Sequence, residues 1–172
     1  MKKLITGILL ALMVLVFFIS CQPKIDVNAE QEAIKAVIEG EINASFNGEY
    51  EKWASFFVHE PYVLFLQAGK TGYVNLKGWE ELSSSAQKWV KPERKGTIIL
   101  EGNSDYVFSI FEDAAWVSFK TTSSIISDSS KSELIGIEVR TLEKHDGNWK
   151  IAYLGSVYSS TYEEDTEGVK TE

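Results

Sequence analysis

Asp146-Gly147 is the dipeptide that most restricts how this chain can fold. It stands between "GIEVRTLEKH" and "NWKIAYLGSVYSS", two runs rich in alternating apolar and polar residues. Asp-Gly accepts positive φ at both central positions of a two-residue turn, and that turn matches the twist of paired strands. An antiparallel hairpin follows, and with it a register. His145 faces Asn148, Leu142 faces Ile151, Arg140 faces Tyr153 and Glu138 faces Gly155. Alternation then puts Glu138, Arg140, Leu142, Trp149, Ile151 and Tyr153 on one side, and Ile137, Val139, Thr141, Ala152 and Leu154 on the other. The mixed face has two readings. It is the wall of a pocket, where a guanidinium, a carboxylate and a phenol orient a ligand acid or carbonyl, or it is an ion pair on the solvent side of the sheet.

The chain upstream agrees with a strand-rich C-terminal half. Segments 97–100, 105–111, 115–126, 133–144 and 148–159 read as strands, parted by "EGNS", "EDA", "SDSSK" and "DG". Before them the period changes. Ala33, Ile34, Val37, Ile38, Ile42 and Phe46 recur at three-and-four spacing opposite Glu32, Lys35, Glu39 and Asn43, which predicts a first amphipathic helix with Asn28 as its N-cap and Asn47-Gly48 as its end. A second helix over about residues 50–57 brings Trp53, Phe56 and Phe57 to the same core. "YVLFLQ" reads as a strand, "AGKTG" as a turn, and "KGWEELSSSAQKWV" as a third helix stopped by Lys91-Pro92. Helices followed by antiparallel strands define an α+β domain in which one curved sheet wraps the helices.

The N-terminus carries a separate message. Residues 1–20 have two lysines and then a long apolar run, the build of a secretory leader, and the chain's one cysteine, Cys21, follows at once. "FISC" resembles the lipobox of bacterial lipoproteins, which implies cleavage before Cys21 and lipid on its thiol and amino group. The expected organisation is a leader over 1–20, a tether with lipidated Cys21 over 21–28, one domain over 29–163 and an acidic tail over 164–172. Gln22, where aspartate would favour inner-membrane retention, points to the outer membrane of a bacterial envelope. With no second thiol there is no disulfide framework, so a packed core must hold the domain. The formal charge is −8, and loss of Lys2 and Lys3 makes it more negative still, which argues against a nucleic-acid partner.

From about residue 29 to residue 162 the sequence resembles the NTF2-like superfamily, also described as SnoaL-like or as the ketosteroid-isomerase fold. "VRTLEKHDGNWKIAYLGS" matches the closing hairpin of that family, with support from "NASFNGEYEKWASFF" and "GWEEL". The resemblance implies a cone-shaped α+β barrel with N-terminal helices packed in a curved antiparallel sheet and a pocket at the open end. In family members that are enzymes, a pocket Asp or Glu moves a proton while hydroxyls steady an oxyanion. Glu138 is the candidate base here, with Tyr153, Tyr62 or Tyr73 as donors. Arg140, two residues away, opposes that role because a nearby cation makes a carboxylate a poorer base. The His-rich closing strand of some members is replaced by Tyr153 and Gly155.

No metal and no cofactor are expected, since His59 and His145 lie far apart in sequence and lack a thiol partner. Trp53 and Trp89 are assigned to the core, while Tyr73 and Trp79 fit the pocket rim with Lys70 or Lys77 at its edge. Three functions stay open. One is a small, partly apolar ligand held by Arg140, Tyr153 and Glu138 with Tyr62, Tyr73 and Trp79. Another is an isomerase, dehydratase or cyclase acting through Glu138. The third is a homodimeric interaction module using Ile137, Val139 and Leu154.

Overall fold

The computed structural model of the chain describes residues 25–127 and 130–161. The leader, Cys21 and the acidic tail lie outside the described residues. The first helix, α1 (Val27–Phe46), is 20 residues long and buries Ile34, Ile38, Glu41, Ile42, Ala44 and Ser45. Its N-cap is Asp26, not Asn28: the Asp26 carboxylate accepts from the Ala29 N–H, so helical geometry begins inside the expected tether. At the other end Asn47 stays right-handed and Gly48, at φ +70, makes the reversal.

The second helix is shorter than its apolar content suggested. α2 (Tyr50–Ala54) stops because Phe56 to Val58 turn to pair with the last strand. β1 (Leu64–Gly69) and β2 (Gly72–Lys77) form a hairpin, whereas the sequence pattern predicts only a turn and a pocket rim where β2 runs. Its mainly exposed residues gave no apolar period to read. α3 (Trp79–Trp89) buries Leu82 and Ala86, and Pro92 then opens a short 3-10 turn. Three of the remaining strands follow the expected segments closely: β4 (Ala114–Ser127), β5 (Ser130–His145) and β6 (Asn148–Thr161). The two expected strands at 97–100 and 105–111 are one strand, β3 (Ile98–Ile110), bent by register shifts after Leu100 and Ser104. "EGNS" is thus an irregular stretch inside a strand rather than a loop, with Asp105 at φ 55 absorbing the bend.

The six strands form one curved, unclosed sheet in the order β2-β1-β6-β5-β4-β3. All neighbours are antiparallel except β1 and β6, which run parallel. Helices α1, α2 and α3 share the concave side, where Trp53, Phe57, Val117, Phe119, Leu142, Trp149 and Ile151 join Ile34 and Ile38 in a continuous core. Without disulfides this burial carries the stability, and removing one such side chain, as in Ile38→Ala, costs about 2–5 kcal/mol. A polar clamp adds orientation. Glu30 on the first turn of α1 accepts from Lys144 Nζ at 2.5 Å and from Trp149 Nε1 at 2.6 Å, tying the helix start to the β5–β6 hairpin.

Candidate functional site

Asp146 and Gly147 both take positive φ, and His145 pairs with Asn148 and Leu142 with Ile151 as the turn requires. The register then slips. Thr141 pairs with Tyr153, Arg140 with Leu154 and Glu138 with Ser156, because Ala152 is an extra residue on β6. The cause is local. Ile151 turns its backbone toward the segment after α2, donating to Phe56 O at 2.8 Å and accepting from Val58 N at 3.0 Å. A bulge satisfies that second partner without breaking the hairpin, and beyond it every β6 side chain changes face.

Glu138 and Arg140 therefore point to the concave side, as one of the two sequence readings had them, but with different companions. Leu154, expected on the outer face, is inside and buried, and Ser156 is inside with it. Tyr153 points to the outer face and lies over Gly155, so the phenol across from the charged pair is Tyr158. Gly136 makes this possible: a Cβ there would lie 2.6 Å from the Tyr158 ring, so only a glycine opposite lets the ring lie across β5.

The centre of the site is a buried polar cluster drawn from four elements. Arg140 donates from one terminal nitrogen to Glu138 Oε2 at 2.6 Å and to Glu41 Oε2 at 3.1 Å. Glu41 comes from α1, and its other oxygen accepts from Trp53 Nε1 of α2 at 2.8 Å. Tyr158 of β6 donates to Glu138 Oε1 at 2.7 Å. The Arg140 guanidinium lies 5.5 Å from the centre of the Phe119 ring. Arg140, Glu138 and Glu41 are each at most 3 % exposed. Burial pushes the Glu41 carboxyl above its ordinary value against the pull of Arg140. Burial and then Glu138 raise the Tyr158 phenol well above the ordinary range, so it stays a donor. The nearby carboxylates outweigh burial at Arg140 and hold its guanidinium protonated.

Among the described residues, three buried polar atoms in this region have no partner: Arg140 Nε, Ser156 Oγ and Thr121 Oγ1. Beside the cluster is a cavity of about 290 Å³, lined by Glu41, Glu138, Arg140, Ser156 and Tyr158 and by the apolar walls of Ile42, Phe46, Phe65, Trp89 and Leu154. A wider one of about 460 Å³ continues toward the β1–β2 turn, sharing Gln67, Val74, Leu134 and Tyr158 with the first. The arrangement can hold a small molecule by apolar contact and offer it buried hydrogen-bonding groups at one end.

The other expected site residues are not brought to the inner cavity. Tyr62 is 55 % exposed and donates to Glu143, which raises its phenol to about 12. Trp79 stacks on His59 at 3.8 Å and packs near Trp53 and Phe57, so it belongs to the core edge. His59 bonds Ala54 O, in keeping with a packing role. Tyr73 borders the wider outer cavity and is 77 % exposed. Trp53 is core, and Trp89, packed against that core beside Trp53 and Phe65, is also a wall of the inner cavity. Among the described residues no group of His, Cys, Asp and Glu is arranged to hold a metal ion. Glu41 escaped the sequence reading although its position betrays it: Ile34, Ile38, Glu41 and Ser45 follow one stripe down α1, a carboxylate on an apolar face.

No protein-family model and no curated protein matches the sequence. Solved structures do. A candidate dehydratase of the NTF2-like family from Streptomyces avermitilis aligns with TM-score 0.64 at 14% identity, covering 77% of this chain and 98% of that one. An NTF2-like protein of unknown function from Shewanella oneidensis aligns at 0.56 and 17% identity, over 74% and 98% of the two chains. A candidate scytalone dehydratase from Novosphingobium aromaticivorans gives 0.57 and 18%, over 78% and 85%. The chain has the NTF2-like fold, a cone of helices in a curved sheet, and its buried cluster sits where that cone encloses a cavity.

Proposed function

We propose that the protein is an envelope lipoprotein whose NTF2-like domain binds a small, partly apolar molecule in the cavity between α1 and the sheet. The observation that carries this is the inner cavity itself, with apolar walls and, at one end, the buried hydroxyl of Ser156 without a partner. A polar group left unpaired in that setting costs free energy that a ligand's hydrogen bond recovers. Binding of a neutral apolar dye such as nile red tests it. Leu134 is half-buried and borders both cavities, so Leu134→Trp fills the space without touching the core. Saturable binding lost in that variant, at unchanged melting temperature, is expected; unchanged binding overturns the assignment.

The envelope location rests on "FISC" at Cys21 and on Gln22. Metabolic labelling with an alkynyl fatty acid, lost in Cys21→Ser, is the check, and persistent label in that variant refutes lipidation at this residue.

A second reading, acid–base catalysis of the dehydratase or isomerase kind, is favoured by the Tyr158 O–H aimed at Glu138 and by the names of two structural neighbours. Arg140 opposes it, since the carboxylate that would have to take the proton is already held in an ion pair at 2.6 Å. Homodimerisation is a further part of the proposal. Ile137 and Val157 pair across β5 and β6 on the outer face, 55 % and 62 % exposed, the same face that carries Trp116 further along β4. Sedimentation showing a dimer that Ile137→Asp with Val157→Asp dissociates supports it; a wild-type monomer at micromolar concentration does not.

A further inference from the structure

The inner cavity is unbalanced in charge. Glu41 and Glu138 bring two carboxylates to one guanidinium, and among the described residues that line the space no other carries a charge. Carboxylates with too little positive charge in a dry site are relieved by a proton or by a bound counter-charge. Burial already pushes Glu41 toward its protonated form, which is the first of these remedies.

We propose that the ligand supplies the second: the cavity takes an organic cation, an ammonium or amidinium on an apolar or aromatic body, with its charged head against Glu41 and Glu138. This rests on the ligand-binding reading above and narrows it to a chemical class. Two independent features support it. Ser156 Oγ and Arg140 Nε belong to residues that line the cavity, are all but inaccessible to solvent and have no partner among the described residues, and they suit a hydroxyl or carbonyl on the same molecule. Phe46, Phe65, Trp89 and Tyr158 turn aromatic surface to the space, and an aromatic face attracts a cation.

An anion is the wrong sign. The terminal nitrogen of Arg140 that would grip a carboxylate already lies between two of them, and a third would add repulsion. The acidic chain, with its formal charge of −8, also draws cations toward any cleft. Length is no obstacle, because the wider cavity continues past Tyr158 and Gln67.

Calorimetric titration of the full-length chain at low salt with three probes of one shape tests the sign: phenethylammonium, 2-phenylethanol and 3-phenylpropionate. Phenethylammonium is expected to bind at least tenfold tighter than 2-phenylethanol, and 3-phenylpropionate weakest. Glu138→Gln leaves one carboxylate to one guanidinium, so it should abolish the tenfold preference for phenethylammonium over 2-phenylethanol. Should that variant not fold, the wild-type series still decides, with Leu134→Trp reporting whether the cavity is where the probes bind. Equal affinities, or tighter binding of 3-phenylpropionate, overturn the cation and leave the ligand-binding reading intact. No binding of any probe, together with nile red binding indifferent to Leu134→Trp, removes both.

Discussion

Replacing Arg140 by methionine should destabilise the fold far more than it disturbs its shape. The two side chains are of similar volume although methionine is shorter, so the change mainly removes charge and hydrogen bonds. In the native protein one nitrogen holds carboxylates at 2.6 and 3.1 Å, pairs worth about 6 and about 5 kcal/mol of Coulomb attraction at an effective dielectric near 20. The variant cannot keep two buried carboxylates ionised, so one takes a proton and recovers part of that loss. What remains is the usual cost of breaking a buried ion pair, about 3–5 kcal/mol, out of a total stability of about 5–15 kcal/mol.

At roughly 3 °C per kcal/mol for a domain of this size, the melting temperature should fall by about 10–15 °C at pH 7.5. Circular dichroism melts will read it. The sign of the pH dependence follows from the carboxylates. With Arg140 gone, the burial that already raises the Glu41 carboxyl acts without that opposing cation, so its folded-state pKa lies further above the unfolded value of about 4.3. Folded-state stability is then fully present below that value and lost as pH rises through the raised one, so the gap from wild type narrows toward pH 5. A triple variant, Glu41→Gln with Glu138→Gln and Arg140→Met, has no buried charge and should regain most of the loss. A melting temperature within about 3 °C of wild type at pH 7.5 would refute the reasoning, because it would mean that water or another cation already serves these carboxylates.

Glu30→Gln should flatten the acid limb of the stability curve: the hydrogen bond from Lys144 holds the Glu30 carboxyl below its ordinary value, so its contribution is present above that value and lost as pH falls through the lowered one. Urea melts between pH 3 and 6 will show it, and an unchanged acid limb would mean the clamp at the start of α1 contributes nothing. Gly136→Ala should push the Tyr158 ring off β5 and away from Glu138, and Tyr158→Phe should cost about 1–3 kcal/mol through the carboxylate oxygen left without its donor. Ultraviolet titration will report one more phenol ionising in the ordinary range in Gly136→Ala, and an unaltered titration would show that the ring accommodates the methyl.

The order of elements was legible because each carries its own period: the α1 stripe at three-and-four spacing, the alternation of β4 to β6, and the Asp-Gly turn that starts the last hairpin. Glu138 and Arg140 were legible as a pair for the same reason, two residues apart on one strand. Tyr158 was not. Finding it required knowing that Ile151 bonds to Phe56 and Val58, a contact across about ninety residues of chain that no local pattern encodes. Glu41 was missed for a different reason, that a glutamate among apolar residues reads as the helix's wet side unless its angle is counted. β2 was missed because it is exposed along most of its length and left no apolar period.

The extra residue at Ala152 makes the last strand a text with a movable reading frame. Before it, the inward letters are Trp149 and Ile151; after it they are Leu154, Ser156 and Tyr158, while Tyr153, Gly155 and Val157 go to the outside. Deleting Ala152 would keep Leu154, Ser156 and Tyr158 inward, because Tyr153 would then follow Ile151 in an unbroken ladder; straightening the strand with every residue kept would exchange the two sets. A cavity with a hydroxyl and a phenol would become one offering Tyr153, a bare glycine and Val157, and the outer wall would gain the polar groups. One bulged residue thus separates two different interiors built on the same scaffold, and the backbone at Ile151 chooses between them without altering a helix.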